Sequence, residues 1–235
     1  MCGRYTLTLP LGQLLDTFQV PPPEFEFQPR FNIAPSQKAP VVARDSRGRR
    51  MGLLRWGLVP SWAKDPSIGN RLINARSETV DEKPSFRSAF RRRRCLVPAD
   101  GFFEWKKEDG EKTPCWVHPA NRGLLAFAGL WERWEPEGSD PLHTFTILTR
   151  EAAPEIRGIH PRMPVILEAE AWNAWLDPET DPGILSRILE ENQAPALSAH
   201  PVSSRVNVPR NDDPSCIEPL APTGDQDRDE DPTGC

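Results

Sequence analysis

The 235-residue chain has no apolar run long enough to cross a bilayer, and it does not open with the basic-then-apolar pattern of a secretory leader. A soluble, cytoplasmic protein without a membrane partner is therefore expected. Its five cysteines (Cys2, Cys95, Cys115, Cys216 and Cys235) form no C-x-x-C pair and are odd in number. This argues against both a zinc site and a disulfide framework. No metal and no organic cofactor are expected. An internal repeat is also missing, and the β-rich runs are not separated by regular helices, which disfavours repeat arrays and doubly wound parallel sheets.

What is present suits one large domain: 37% of residues are hydrophobic and eight are Trp, enough for a sizeable core. Net charge is −5, yet it is unevenly spread. Residues 1–100 carry 17 Lys/Arg against 9 Asp/Glu, and residues 101–235 carry 12 against 25. Only the first part looks polyanion-seeking. The acidic stretch at the end, with Asp225, Asp227, Asp229, Glu230 and Asp231, has no apolar residues to fold around and is expected to be a disordered tail over 223–235. Residues 1–222 then form the single folded domain, expected to be a monomer.

Leu11, Leu14, Leu15 and Phe18 have helical spacing, and the prolines at 21–23 end that helix. Runs rich in β-formers follow at 39–44, 51–59, 95–98, 124–134, 143–149 and 163–167. Helices are expected near 84–93, 168–176 and 182–192, the last capped by Asp181 with Pro182 at its first position. The expected fold class is α+β, with a curved or barrel-like mixed sheet flanked by short helices.

The chain begins Met1-Cys2-Gly3-Arg4-Tyr5. Aminopeptidases remove an initiator Met that precedes a small residue, which would leave Cys2 with a thiol and a free α-amine on adjacent carbons. That 1,2-aminothiol reacts with aldehydes. With an α-amine pKa of about 7.7–8.0 and a thiol near 8.5, roughly a tenth of each is nucleophilic at neutral pH even without tuning. Position alone also allows a buried, inert Cys2.

Four further patterns stand out: Arg30-Phe-Asn-Ile-Ala-Pro35, Asn74-Ala-Arg-Ser-Glu-Thr79, Ala99-Asp-Gly-Phe-Phe-Glu-Trp105 and Gly158-Ile-His-Pro-Arg-Met-Pro164. With the N-terminal pentapeptide, Trp56-Gly-Leu-Val-Pro60, Thr144-Phe-Thr-Ile-Leu-Thr149 and His200-Pro-Val-Ser203, they make the chain resemble the SOS-response-associated peptidase family, from Cys2 to about Leu220. The resemblance implies a protein of the DNA damage response that senses abasic sites in single-stranded DNA. It implies a covalent thiazolidine crosslink through Cys2, shielding the lesion, and association with the nucleoid while bound to DNA. It also implies Schiff-base, lyase-like chemistry, with autoproteolytic removal of Met1 as one route to the free amine.

The catalytic set implied is Cys2, Asn74, Glu104 and His160. Glu104, flanked by Phe102, Phe103 and Trp105, would be desolvated and act as general acid–base. An imidazole at His160 can carry a proton to the sugar oxygen. Asn74 would hold the N-terminal amine or the sugar. For DNA, Arg4, Arg76 and Arg162 match phosphate-gripping positions, Trp62 and Trp105 are candidates for stacking, and Asn32, Pro35 and Thr149 match residues of the DNA channel. The run Arg91-Arg-Arg-Arg94 reads as a solvated helix end favoured by the dipole.

Phe103 stands where the family commonly has Tyr, and Pro161 where it commonly has an acidic residue or Asn; neither removes a catalytic group. Two other readings stay open. N-terminal-nucleophile glutamine amidotransferases also begin Met-Cys-Gly, but their Arg-Gly glutamine clamp and His-Asn-Gly type segment are absent here. A non-covalent reader of single-stranded DNA would use the same basic and aromatic residues, and its binding would survive loss of Cys2.

Overall fold

The computed structural model describes residues 2–220 except 137 and 139; the expected acidic tail lies outside the described residues. Among these, twelve strands run in chain order: β1 (Tyr5–Leu7), β2 (Arg30–Ile33), β3 (Lys38–Asp45), β4 (Gly48–Trp56), β5 (Asn74–Arg76), β6 (Arg94–Ala99), β7 (Gly101–Glu108), β8 (Glu111–Pro119), β9 (Leu125–Trp134), β10 (Leu142–Glu151), β11 (Arg162–Pro164) and β12 (Leu197–Pro201). Five short helices accompany them: α1 (Leu11–Phe18), α2 (Arg87–Arg92), α3 (Pro154–Arg157), α4 (Ala169–Leu176) and α5 (Pro182–Glu191).

One sheet runs β11-β10-β4-β3-β6-β9, and β9 pairs back onto β10 from Leu142↔Trp134 to Ile147↔Gly129. Strands β10, β4, β3, β6 and β9 therefore close into a barrel, mixed because β10 runs parallel to β4. The second sheet is ordered β12-β8-β7-β1-β2. Buried aromatics fill the barrel: the Tyr5 ring meets Trp56 edge-on at 5.3 Å and Phe127 at 6.1 Å. Such contacts add about 0.5–1.5 kcal/mol each beyond area burial. The N-terminal strand is thus locked into the core three residues after Cys2.

The α+β class with a barrel-like mixed sheet is what the structure has, and α1 spans the residues its periodicity marks. The hairpin β7–β8 is a gain over the sequence reading, which took 99–105 as a motif without assigning a strand. Its turn is Asp109-Gly110, with φ of 49° and 85°. Two left-handed residues give the tight turn whose twist matches the flanking strands. Helix α2 is shorter than the expected 84–93, and the run at 163–167 is regular only to Pro164, beyond which Ile166 bridges Phe127.

The arginine run needs a correction at its last member. Arg91 and Arg92 are exposed, but Arg94 is 2% exposed. Its guanidinium donates to the carbonyls of Phe90 and Arg91, both at 2.6 Å, Trp175 at 2.6 Å, and Asp177. These are carbonyls at the C-terminal ends of α2 and α4, which have no partner within their own helices. Burial lowers the Arg94 pKa to about 10, with the Asp177 charge opposing. Arg94→Met keeps the aliphatic stem and strands those carbonyls. The expected loss is about 2–4 kcal/mol of unfolding free energy in a denaturant titration. Arg92→Met, on the exposed surface, should change stability by less than about 0.5 kcal/mol.

Candidate active site

The pairing of β1 with β7 builds the site. Tyr5 is opposite Phe102, and the Phe103 amide donates to the Arg4 carbonyl at 3.0 Å. Cys2 and Glu104 therefore extend from the same ladder. The Cys2 side chain is fully buried, and its thiol makes a weak 3.6 Å hydrogen bond to that same Arg4 carbonyl. From the other sheet, Asn74 Nδ2 donates to the Cys2 carbonyl at 2.7 Å. Asn74 is delivered by β5, which lies parallel against β10 with Ile147↔Asn74. The amide's Oδ1 is buried with no hydrogen-bond partner among the described residues, an acceptor aimed at the N-terminal residue's surroundings.

Electrostatics correct one expectation. Burial, and then the Glu104 charge, push the Cys2 thiol well above its ordinary range, so tuning runs away from the thiolate. Glu104 is 2% exposed, and burial raises its pKa from 4.5 to about 7, with the positive amino terminus opposing. His160 Nδ1 lies 3.8 Å from Glu104 Oε2, too long for a direct hydrogen bond. His160 Nδ1 lies 3.1 Å from both the amide nitrogen and the carbonyl oxygen of Arg162, so it accepts from the one or donates to the other according to the tautomer. Burial lowers the His160 pKa, with the amino terminus, Lys107 and Arg162 also disfavouring the cation and the Arg162 carbonyl favouring it. A carboxyl poised near neutrality thus sits beside a preferentially neutral imidazole, the divergence of environments that acid–base chemistry uses.

The expected DNA-contact residues divide. Arg4 is half-buried, donates to the Gly3 carbonyl at 2.8 Å and has no carboxylate partner among the described residues. Arg76 is exposed and has no carboxylate partner there either. Arg162 is already engaged: it chelates Glu78 at 2.5 and 2.9 Å and donates to the Thr149 carbonyl at 2.5 Å. Trp62 is 59% exposed on a turn that Trp134 fixes by donating to the Ala63 carbonyl at 2.7 Å. Trp105 is half-buried, its indole N–H tied to Asn207 Oδ1 at 2.8 Å. Pro35 is half-buried.

Two residues are corrected. Thr149 is fully buried in β10, with its hydroxyl on the Ala75 carbonyl, so it positions Arg162 and offers DNA no side-chain contact. Asn32 is also fully buried, and its amide nitrogen donates to the carbonyls of Val206, Val208 and Asn211. It ties β2 to the C-terminal segment.

A cavity of about 450 Å³ is lined by Glu104, Trp105, Lys107, Lys112, His160 and Asn207. Sequence reasoning gave no role to Lys107, Lys112, Asn207 or Glu78. The Asp109-Gly110 turn was the available signal for the first two, because it fixes Lys107 opposite Lys112. A cavity of about 880 Å³ lies between α3 and the C-terminal end of α5, lined by residues such as Arg157 and Glu191, but holds none of the site's groups. Among the described residues, no group of three or more His, Cys, Asp or Glu side chains is arranged to hold a metal ion.

A closed mixed barrel that buries the second residue's thiol near a raised-pKa carboxyl, an imidazole and an amide defines a barrel protein with a buried cysteine close to its start and a carboxyl–imidazole pair. The chain belongs to the SOS response associated peptidase (SRAP) family, whose model matches residues 1–209. It is 44% identical over 222 residues to the abasic site processing protein YoqW of Bacillus subtilis, covering 93% of this chain and 99% of that protein. It is 37% identical to the abasic site processing protein HMCES of Gallus gallus, covering 84% and 68%. A crystal structure of a Bacteroides thetaiotaomicron protein shares the fold, with a TM-score of 0.81 at 22% identity, over 94% of this chain and all of that one.

The Glu104 environment should register in stability. Its pKa is higher folded than unfolded, so its proton stabilises the fold fully below about pH 4.5, and that contribution is lost as pH rises through about 7. At about 1.4 kcal/mol per pKa unit, the change is on the order of 3 kcal/mol. Glu104→Gln removes it. Denaturant midpoints should show the variant gaining on the parent between pH 5 and pH 8; a constant difference would contradict the assigned environment.

Proposed function

We propose that this protein processes abasic sites in single-stranded DNA, forming a thiazolidine crosslink through Cys2 once Met1 has been removed by an aminopeptidase or by autoprocessing. The observation carrying the reading is the convergence of Cys2, Asn74, Glu104 and His160 around the N-terminal residue. The family membership and the names of the relatives support the same substrate.

The reacting atom is C1′ of the ring-opened deoxyribose, an aldehyde. The Cys2 amine adds to it and loses water to give a Schiff base. The thiol then adds across C=N: its sulfur bonds to C1′, and its proton ends on nitrogen, closing a five-membered ring. Since burial and the Glu104 charge keep the thiol protonated, the amine attacks first and sulfur second, with ring closure favoured because it is intramolecular. Glu104 takes and returns the protons of addition and dehydration. His160 donates toward the sugar ring oxygen as the ring opens. Asn74 holds the Cys2 carbonyl with one end of its amide, and its Oδ1 is free to orient the amine or a sugar hydroxyl. Arg4 and Arg76 bring uncompensated positive charge for the flanking phosphates, and Trp62 and Trp105 offer ring faces to bases. Arg162 reaches a phosphate by sharing or releasing Glu78.

Intact mass spectrometry after incubation with an oligonucleotide carrying one abasic site tests this. The des-Met1 protein should gain the oligonucleotide mass less one water, and Cys2→Ala should gain nothing that survives denaturation. Glu104→Gln should form the adduct more slowly, on the order of a hundredfold. A des-Met1 protein that forms no adduct would leave only non-covalent DNA reading.

A further inference from the structure

The β7–β8 hairpin carries a feature that fold stability does not explain. Lys107 lies directly opposite Lys112, and residues so paired project from the same face of the ladder. Like charges in that position repel. Neither lysine has a carboxylate within salt-bridge range among the described residues, and both are exposed. The next lysine in the strand is handled differently: Lys106, on the opposite face, pairs with Glu108 at 2.8 Å. Glu108 and Glu111 face each other at the hairpin tip, one position beyond the lysines, so acidic residues are near at hand yet no ion pair joins them to Lys107 or Lys112.

The two lysines share a wall of the 450 Å³ cavity with Glu104 and His160. Alternation along β7 places Trp105 on their face, opposite Pro114 and one rung, about 7 Å, nearer the core. Its ring is fixed through Asn207, on a segment that the Asn32 amide anchors to β2 at Val206 and Val208. The cavity therefore brings together a carboxyl and an imidazole, a fixed aromatic face and a pair of unneutralised ammonium groups, Glu104 leaving β7 from the other face of the ladder. This is the arrangement that stacks one base and clamps the phosphate beyond it.

We infer that Lys107 and Lys112 form a phosphate subsite for the DNA strand leaving the lesion along the β7–β8 hairpin, with Trp105 stacking the intervening base. This rests on the abasic-DNA reading above and extends it by assigning the strand a path. An ammonium pair suits this role because it is a mobile point-charge clamp that reads the backbone without base specificity. A phosphodiester between the lysines also relieves their mutual repulsion, so bound strand and hairpin favour each other.

The test is the salt dependence of binding to an undamaged single-stranded oligonucleotide, measured by fluorescence anisotropy with des-Met1 protein. The variants are Lys107→Gln/Lys112→Gln and, on the opposite face, Lys106→Gln. Each phosphate contact on a single strand contributes about 0.7 to the slope of log K against log salt. Because the two lysines clamp one phosphate, the double variant should lose about 0.7 from the slope and bind several-fold more weakly at low salt, with Lys106→Gln near the parent. Both lysines are exposed, so the fold should be unaffected, which thermal melts will check. A double-variant slope equal to the parent's overturns the subsite, as does an equal loss in Lys106→Gln, which would reduce the effect to general charge. Failure of the underlying reading looks different: the parent itself would bind single strands without salt dependence and form no adduct with an abasic oligonucleotide.

Discussion

Short antiparallel pairing between β1 and β7 is the constraint on which the site depends. The Phe103 amide reaches the Arg4 carbonyl, and the Cys2 thiol reaches the same oxygen. One carbonyl thus registers the N-terminal residue against the strand carrying Glu104. Tyr5, wedged between Trp56 and Phe127, keeps β1 from sliding. A one-residue slip would turn every β1 side chain to the other face and separate the nucleophile from its carboxyl. N-terminal residues are ordinarily where chains fray. Here three consecutive core residues, Tyr5 to Leu7, follow almost at once, and the terminus becomes as positioned as a mid-strand residue.

The same burial sets the protonation of both groups. Removing Glu104 from water raises its pKa toward neutrality, where it can both give and take a proton. Removing Cys2 from water, with the Glu104 charge beside it, keeps its thiol protonated. A buried, protonated thiol does not oxidise or wander into exchange reactions, since the thiolate is the reactive form. The cost falls on stability, because an ionised Glu104 in that setting opposes folding as pH rises. Strain of this kind at an active site is the usual counterpart of a prearranged reaction centre.

Fold class was legible because it leaves local traces: helical spacing at Leu11 to Phe18 and β-rich runs in the barrel strands. The grouping of Cys2, Asn74, Glu104 and His160 came through motifs and not through periodicity. What stayed hidden is non-local. Nothing near Asn32 announces that its amide meets three carbonyls from the far end of the chain, at Val206, Val208 and Asn211, nor near Thr149 that β10 buries it; both look like polar residues available to a ligand. Arg94 sits in a run of four arginines and differs from its neighbours only because β6 starts there and turns it inward onto two helix ends. The Asp109-Gly110 hairpin is the reverse case, a strong local signal that yields its consequence only when the cross-strand register is drawn and the two lysines meet.

Charge ties these pieces together. The first hundred residues carry an excess of positive charge, and across the whole chain the structure uses its cations unevenly. Arg94 is consumed by helix ends, Arg30 by Asp212 and Arg162 by Glu78, whereas Arg4, Arg76, Lys107 and Lys112 keep no carboxylate partner among the described residues. Some neutralised cations hold the scaffold, and Lys107 and Lys112, which have no carboxylate partner among the described residues, line the cavity. Overall charge, at −5, gives no hint of this. For a protein meeting a polyanion, the local imbalance near the reactive residue decides binding, and the remote acidic surface opposes it only weakly beyond a Debye length of about 8–10 Å at physiological salt. Arg162 lies at the boundary between the two groups. Its contact with Glu78 keeps the guanidinium aligned while the site is empty, and a phosphate competes with a half-exposed carboxylate whose ion pair water already weakens. On the abasic-DNA reading proposed above, exchange of one oxyanion for another there would cost little, so the contact that holds Arg162 in place would not withhold it from a phosphate.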